Sequence, residues 1–286
     1  MGTMRTLVTG LKGFTGQYMQ AELAAQGHEV VGLRANLLDQ AALTAELKDI
    51  QPDWVVHLAG IAFVGHGEPN DFYRVNLMGS RNLLLGLADC QKRPACMLLA
   101  SSANIYGNAT EGVLTESSPP HPANDYAVSK LAMEHMARLW LETLPIIIAR
   151  PFNYTGIGQS EAFLLPKIVS HFKRKAPLIE LGNLDVYRDF SDVRAVVQAY
   201  RRLLEVGAAG QTVNVCSGHT YSLREVLSMV ERVSSHTMPV EVNPAFVRAN
   251  EVKTLCGDPS RLRSFIGDWA MPPLEDTLRW MLTGNN

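Results

Sequence analysis

No run in the 286 residues approaches the ~20 consecutive apolar residues that a membrane-crossing helix needs. The segment Met1 to Gly10 also lacks the charged, apolar and small-residue regions of a secretory leader. No membrane association and a cytoplasmic location are therefore expected. Basic runs are missing too, and the formal net charge of -2 supplies no electrostatic reason to bind nucleic acid. Cysteine is scarce: Cys90, Cys96, Cys216 and Cys256 stand apart inside apolar segments, with no C-x-x-C pair, which fits buried reduced thiols and predicts neither zinc nor disulfides. There is no internal repeat and no low-complexity tract. What remains, 47% hydrophobic and 19% charged residues, is ordinary globular composition with length for about two domains.

The first two thirds alternate short apolar runs with helix-patterned stretches, the pattern of a parallel sheet covered on both faces. Buried strands are expected at Arg5 to Thr9, His28 to Leu33, Trp54 to Leu58, Ala95 to Ala100, Leu144 to Ala149 and Thr212 to Cys216. Helices are expected at Thr15 to Gln26, Asp39 to Asp49 with Asp39 as N-cap, Asp71 to Cys90 and Asp125 to Thr143. From Arg150 onward Pro151, Gly156, Gly158, Pro166 and Pro177 break the pattern into short segments, with Phe163 to Lys175 and Val240 to Asn286 expected to build a smaller lobe. The expected fold is α/β, a Rossmann-type doubly wound parallel sheet with a smaller C-terminal substrate-binding lobe. Residues 1–155 and 190–217 would form the dinucleotide-binding domain, and 156–189 with 218–286 the lobe.

After the first strand, Thr9-Gly10-Leu11-Lys12-Gly13-Phe14-Thr15-Gly16 repeats glycine at every third position where strand turns into helix. Without Cβ atoms such a backbone turns tightly, approaches a pyrophosphate and aims helix amides at its charge. Gly10, Gly13, Phe14, Thr15 and Gly16 are thus candidate cofactor-binding residues, against the plainer reading of a structural turn. The second strand runs out as Val30-Val31-Gly32-Leu33-Arg34, with no carboxylate to accept bonds from the adenosine ribose. Arg34 can instead pair with a 2′-phosphate, which favours NADP(H) over NAD(H), although NAD(H) remains possible. A surface arginine is the alternative reading.

Tyr126 and Lys130 stand four residues apart, on one face of the helix beginning near Asp125. A phenol titrates near ~10, and a cation ~4 Å away at an effective dielectric of ~20 lowers that by roughly three pH units. A neutral-range phenolate is the resulting expectation.

Taken together, these residues resemble the extended short-chain dehydrogenase/reductase family, and within it the enzymes that modify nucleotide sugars. The resemblance spans nearly the whole chain. It is carried by the three glycines, by His57-Leu58-Ala59-Gly60, by Ser101-Ser102-Ala103-Asn104-Ile105-Tyr106-Gly107, by Tyr126 with Lys130, and by Arg150-Pro151-Phe152-Asn153. It implies that Ser102 holds the reacting carbonyl oxygen, Tyr126 exchanges its proton and Lys130 holds the nicotinamide ribose. It further implies cofactor contacts at Leu58, Ala59, Gly60, Asn36 and Leu37, where Asn36 stands in place of the family's aspartate, and a homodimer through the helices at Asp71 to Cys90 and Asp125 to Thr143. A nucleotide-diphosphate sugar is the implied substrate, contacted by Ser102, Asn104, Asn153, Arg188, Arg248 and Glu251. Arginine forks suit a diphosphate, while a surface ion pair is the alternative for each one.

Dehydratases of this family need a carboxylate beside the catalytic hydroxyl, and here Ala103 and Asn104 follow Ser102. An amide does not titrate, so elimination is excluded and hydride transfer at a carbonyl is left. The compact length and Arg34 favour an NADPH-dependent 4-reductase over an NAD-dependent 4-epimerase. The segment Arg150 to Gln159, followed by Phe163 and Pro166, is most similar to reductases that form GDP-D-rhamnose from GDP-4-keto-6-deoxy-D-mannose. A dinucleotide-binding sensor or scaffold without turnover is the alternative of another class, and it has no need of Ser102, Tyr126 and Lys130 together. His57, ending a buried strand, and His121, between prolines, read as structural histidines. Met133 and Met136 read as packing residues, and Asn76 either supports the active-site backbone or bonds a neighbouring turn.

Overall fold

The computed structural model describes residues 2–63, 68–107, 112–247 and 253–284. In chain order the elements begin β1 (Arg5–Thr9), α1 (Phe14–Ala25), β2 (Glu29–Gly32), α2 (Gln40–Ile50) and β3 (Trp54–His57). Next come α3 (Pro69–Asp71), a π-helical stretch (Phe72–Gly79), α4 (Ser80–Ala88), β4 (Cys96–Ala100), a 3₁₀ turn (Ala103–Tyr106), β5 (Val113–Leu114) and α5 (Asp125–Arg138). The second half holds β6 (Ile146–Pro151), β7 (Asn153–Thr155), α6 (Leu164–Lys173), β8 (Ile179–Leu181), β9 (Tyr187–Asp192), α7 (Val193–Val206) and β10 (Thr212–Val215). It closes with β11 (Thr220–Ser222), α8 (Leu223–Ser234), β12 (Val240–Val242), a 3₁₀ turn (Pro244–Phe246), β13 (Thr254–Gly257), α9 (Ser260–Ile266) and α10 (Leu274–Thr283).

Six parallel strands form the main sheet in the order β10-β6-β4-β3-β1-β2. The winding reverses between β1 and β3, so the C-terminal ends of these neighbours open a crevice, the place where ligands settle in doubly wound sheets. One face is covered by α1, α7 and α9, where Met19, Leu23, Val196, Leu203 and Ile266 are buried. The other is covered by α2, α4 and α5 through Leu43, Leu47, Leu83, Leu87 and Met133. Burial on both faces explains why the strands read as continuous apolar runs rather than alternating ones. Asp39 caps α2 by accepting from the Ala42 amide, as its position predicts. Helix α5 ends at Arg138, before the expected Thr143, and turns follow to Thr143.

A separate apolar core joins α6, α8 and α10 to β8 and β9. Strands β11, β9, β13 and β5 form a second sheet, with β7 paired to β9. Helix α9 lies within the stretch expected for the lobe but packs on α7 and β10. All four cysteines are buried free thiols. No helix among the described residues is long and apolar enough to cross a membrane.

Candidate active site

The glycine-rich turn lies at the crevice. Gly10 is left-handed, with φ at 72°, and a Cβ there would stand 2.9 Å from the Ala59 amide nitrogen just beyond β3. A Cβ at Gly16 would meet the Gly10 carbonyl oxygen at 2.2 Å, so the first turn of α1 presses directly on the loop. Gly13 is the N-cap of α1 and offers no side-chain acceptor to that turn, which carries no acidic residue either. The α1 amides are thus open to an anion, and the cradle a side chain would fill suits a pyrophosphate. Thr9 Oγ1 accepts from the Leu58 and Ala59 amides at 3.2 and 3.1 Å, locking that second strand end in place.

A buried relay runs from here to the π-helical stretch. Ser80 must donate to the Asn76 carbonyl at 2.6 Å, so it accepts from His57 Nε2 at 2.8 Å, and Thr9 donates to His57 Nδ1 at 2.7 Å. Burial holds the His57 imidazole neutral, down to about 3. His57 is the structural histidine its position predicts. Asn76 takes the supporting role: Oδ1 accepts from the Ile61 amide at 2.8 Å, while Nδ2 donates to the Ile61 carbonyl at 3.2 Å and to Ser129 Oγ at 3.1 Å. Ser129 in turn donates to the Tyr126 carbonyl at 2.7 Å. The loop after β3, which carries Gly60, is so tied to the helix of Tyr126.

Arg34 emerges from the end of β2 with its side chain 90% exposed and Nε 3.3 Å from Glu46 of α2. The ribose position has no acid in the local sequence, yet the fold brings Glu46 close. Its oxygens are engaged by the Arg34 and Ala35 backbone amides at 3.0 and 2.6 Å. Burial pushes that carboxyl up, but the amides and Arg34 outweigh it and hold it below its ordinary value. Exposed Asn36 accepts from the Leu38 amide at 2.9 Å in a tight turn and keeps one lone pair free, while Leu37 is buried beside Gly79.

On α5, capped by Asn124 through the Ala127 amide, Tyr126, Ser129, Lys130, Met133, Glu134 and Ala137 form the buried face. Met133 packs in the core and Met136 at its edge. Tyr126 faces Ser102, whose Oγ accepts from the backbone and side-chain nitrogens of Asn104 at 3.1 and 3.2 Å. Lys130 Nζ donates to the Ala100 carbonyl at 2.8 Å. The expected phenolate does not form. Burial pushes Tyr126 up to about 12, offset only partly by Ser102. Burial likewise pulls Lys130 down to about 8, offset partly by Glu134. The simple two-charge argument fails because it left out desolvation, which disfavours the charged form of both groups, and because the ammonium is turned to a carbonyl.

Toward the lobe, Asn153 Nδ2 donates to the Asp189 carbonyl at 3.4 Å, and Arg188 donates to the Tyr187 carbonyl at 2.9 Å. Arg248 and Glu251 lie outside the described residues. Sequence reasoning missed Tyr154, whose phenol is 2.8 Å from Thr15 Oγ1 and whose ring stacks on Phe14 at 6.2 Å. Its place directly after Asn153 was the available signal.

The sequence profile of the NAD dependent epimerase/dehydratase family matches residues 6–216. The GDP-6-deoxy-D-talose 4-dehydrogenase of Aggregatibacter actinomycetemcomitans is 36% identical over 270 residues, spanning 93% of this chain and 92% of its own. The GDP-6-deoxy-D-mannose reductase of Pseudomonas aeruginosa is 36% identical over 297 residues, spanning 98% and 97%. Among solved structures, a Burkholderia cenocepacia J2315 protein provisionally named an epimerase superposes with a TM-score of 0.93 at 52% identity, over 97% of this chain and 96% of that one. RMD from Pseudomonas aeruginosa, solved with NADPH, superposes at 0.89 with 34% identity over 98% of each chain.

Proposed function

The chain belongs to the NAD dependent epimerase/dehydratase family, and we propose that within it the chain reduces the C4 ketone of GDP-4-keto-6-deoxy-D-mannose to GDP-D-rhamnose with NADPH. The observation that carries this reading is the convergence of Ser102, Tyr126 and Lys130 at the end of β4, with uncharged Ala103 and Asn104 beside them. Asn104 is engaged as a donor to Ser102 and has no proton to exchange, which leaves a site equipped for carbonyl chemistry and not for elimination.

Bound NADPH supplies a hydride to C4. The glycine turn would hold its pyrophosphate, Arg34 its 2′-phosphate, and Lys130 its nicotinamide ribose. Ser102 and Tyr126 donate hydrogen bonds to the C4 oxygen and stabilise the charge that develops there. Tyr126 then passes its proton to that oxygen. A phenol pushed up to about 12 stays protonated at neutral pH and is ready to donate. It is still a stronger acid than an alcohol, whose alkoxide is a base comparable with hydroxide, so the transfer runs downhill. Asn153, Arg188, Arg248 and Glu251 are assigned to the diphosphate and its sugars. Residues 1–155 with 190–217 are assigned to cofactor and 156–189 with 218–286 to substrate.

The second reading, favoured by the likeness to the talose 4-dehydrogenase, concerns the same ketone approached from its other face. One experiment separates these readings. The protein is mixed with NADPH and the GDP-linked ketosugar, nicotinamide absorbance is followed, and the C4 configuration of the product is read by NMR. Oxidation with D-rhamnose formed supports the proposal, and the C4 epimer supports the second reading. Absence of oxidation with tight NADPH binding indicates a sensor, and interconversion of sugars without net NADPH loss indicates an epimerase. Exposed Met78, Val128, Leu139 and Leu141, on the π-helical stretch and on or just beyond α5, support a homodimer through these elements, which light scattering tests.

A further inference from the structure

Beneath the catalytic residues lies an ion pair that the mechanism above does not use. Glu134 is fully buried, one helical turn beyond Lys130 on α5, and Arg150 of β6 binds it with Nε at 2.9 Å and Nη2 at 2.7 Å. Ser101 donates to the same carboxylate at 2.6 Å. Arg150 Nη1 donates to Tyr106 Oη at 2.9 Å, and Tyr106 donates to Asn214 Oδ1 of β10 at 2.7 Å. Ser102 therefore sits in a segment whose two ends, Ser101 and Tyr106, are both tied to one ion pair.

A buried pair of this kind is a weak stabiliser, because replacing it with apolar residues of similar volume is often neutral or favourable. Its geometry nonetheless joins the three parts that must meet for the reaction: the end of β4, the 3₁₀ turn after Ser102, and the helix of Tyr126 and Lys130. We propose that Glu134, clamped by Arg150, is a positioning residue: it fixes the Ser102 segment against α5 and supplies the negative field that keeps Lys130 an ammonium ion. The proposal rests on the reductase reading for its rate measurements.

Among the described residues, the charges around Lys130 are few. Tyr126 shares its helix, and His57 faces it from β3, held neutral by burial. Arg138 and Arg150 approach Glu134, at 3.5 and 2.7 Å. The π-helical stretch and β4 present Asn76, Ser129's partner, and the Ala100 carbonyl. Glu134 is the anion in this set. Removing its charge leaves Lys130 beside cations, so the ammonium gives up its proton at lower pH.

The test is the pH dependence of kcat and of NADPH affinity in the full chain. Glu134→Gln is expected to move the alkaline limb of both down by about one pH unit. Glu134→Asp, which keeps the charge but shortens the reach, is expected to lower kcat while leaving the limb near its original place. Should Glu134→Gln fail to fold, Glu134→Leu combined with Arg150→Met removes both charges at similar volume and is expected to shift the limb in the same direction. An unmoved limb in whichever of these folds overturns the proposal, as does an equal shift in Glu134→Asp. If the unsubstituted protein oxidises no NADPH with the GDP ketosugar, the reductase reading has failed, and the limb of NADPH affinity, read by nicotinamide fluorescence, still decides the role of Glu134.

Discussion

Replacing Tyr126 by Phe removes one oxygen and little else. The ring is 6% exposed and meets Phe72 edge-on at 5.9 Å, so Phe keeps the packing, and the thermal midpoint should change by no more than a few degrees. Ser102 keeps its two donors from Asn104, so the oxyanion hole survives in part. What disappears is the proton donor and one hydrogen bond to the C4 oxygen. General acid catalysis by a placed side chain contributes about 10²–10⁴-fold, and removing one oxyanion donor costs about 10²–10³-fold, so kcat should fall by about 10³-fold or more. NADPH affinity should stay within about tenfold, since less than about 1.4 kcal/mol of cofactor binding is at stake. Single-turnover absorbance at the reduced-nicotinamide band measures the first quantity and fluorescence titration the second. A folded Tyr126→Phe protein with kcat within about tenfold of the original would refute the assignment of Tyr126 as the acid.

Arg34→Ala should weaken NADPH by about 10- to 100-fold, the range of charge-assisted bonds to phosphate, while NADH affinity changes little, as paired titrations would reveal; equal losses for the two cofactors would contradict the 2′-phosphate role. Gly16→Ala puts a Cβ 2.2 Å from the Gly10 carbonyl oxygen, so cofactor binding should be lost and the thermal midpoint should drop. Unchanged NADPH titration would show that the turn is not the cradle. His57 ordinarily titrates at 6.5 and is held at about 3 in the fold, so below 6.5 the unfolded chain binds the extra proton. Stability should therefore fall as pH drops from 6.5 toward 3, by up to about 1.4 kcal/mol per pH unit from this residue, and denaturant titrations of His57→Asn against the original chain should show a shallower acid loss in the variant.

The glycine-rich turn at the crevice was legible because its requirements are local. Glycines at every third position, a strand before them and a helix after them determine the turn, and continuous apolar runs determine strands buried on both faces. The i, i+4 spacing of Tyr126 and Lys130 likewise places both on one helical face wherever that helix lies. Tyr154 was missed because its partner Thr15 is 139 residues away, and Glu46 because it reaches Arg34 from a different element.

Protonation belonged to the tertiary structure alone. From sequence, a lysine one turn from a tyrosine predicts a phenolate; in the fold, burial raises the phenol, and the ammonium faces the Ala100 carbonyl with Glu134 behind it. Neighbours along the chain set backbone conformation, whereas charge depends on through-space distance and on how much water remains. Those two quantities exist only once β3, β4, β6, α5 and the π-helical stretch have come together.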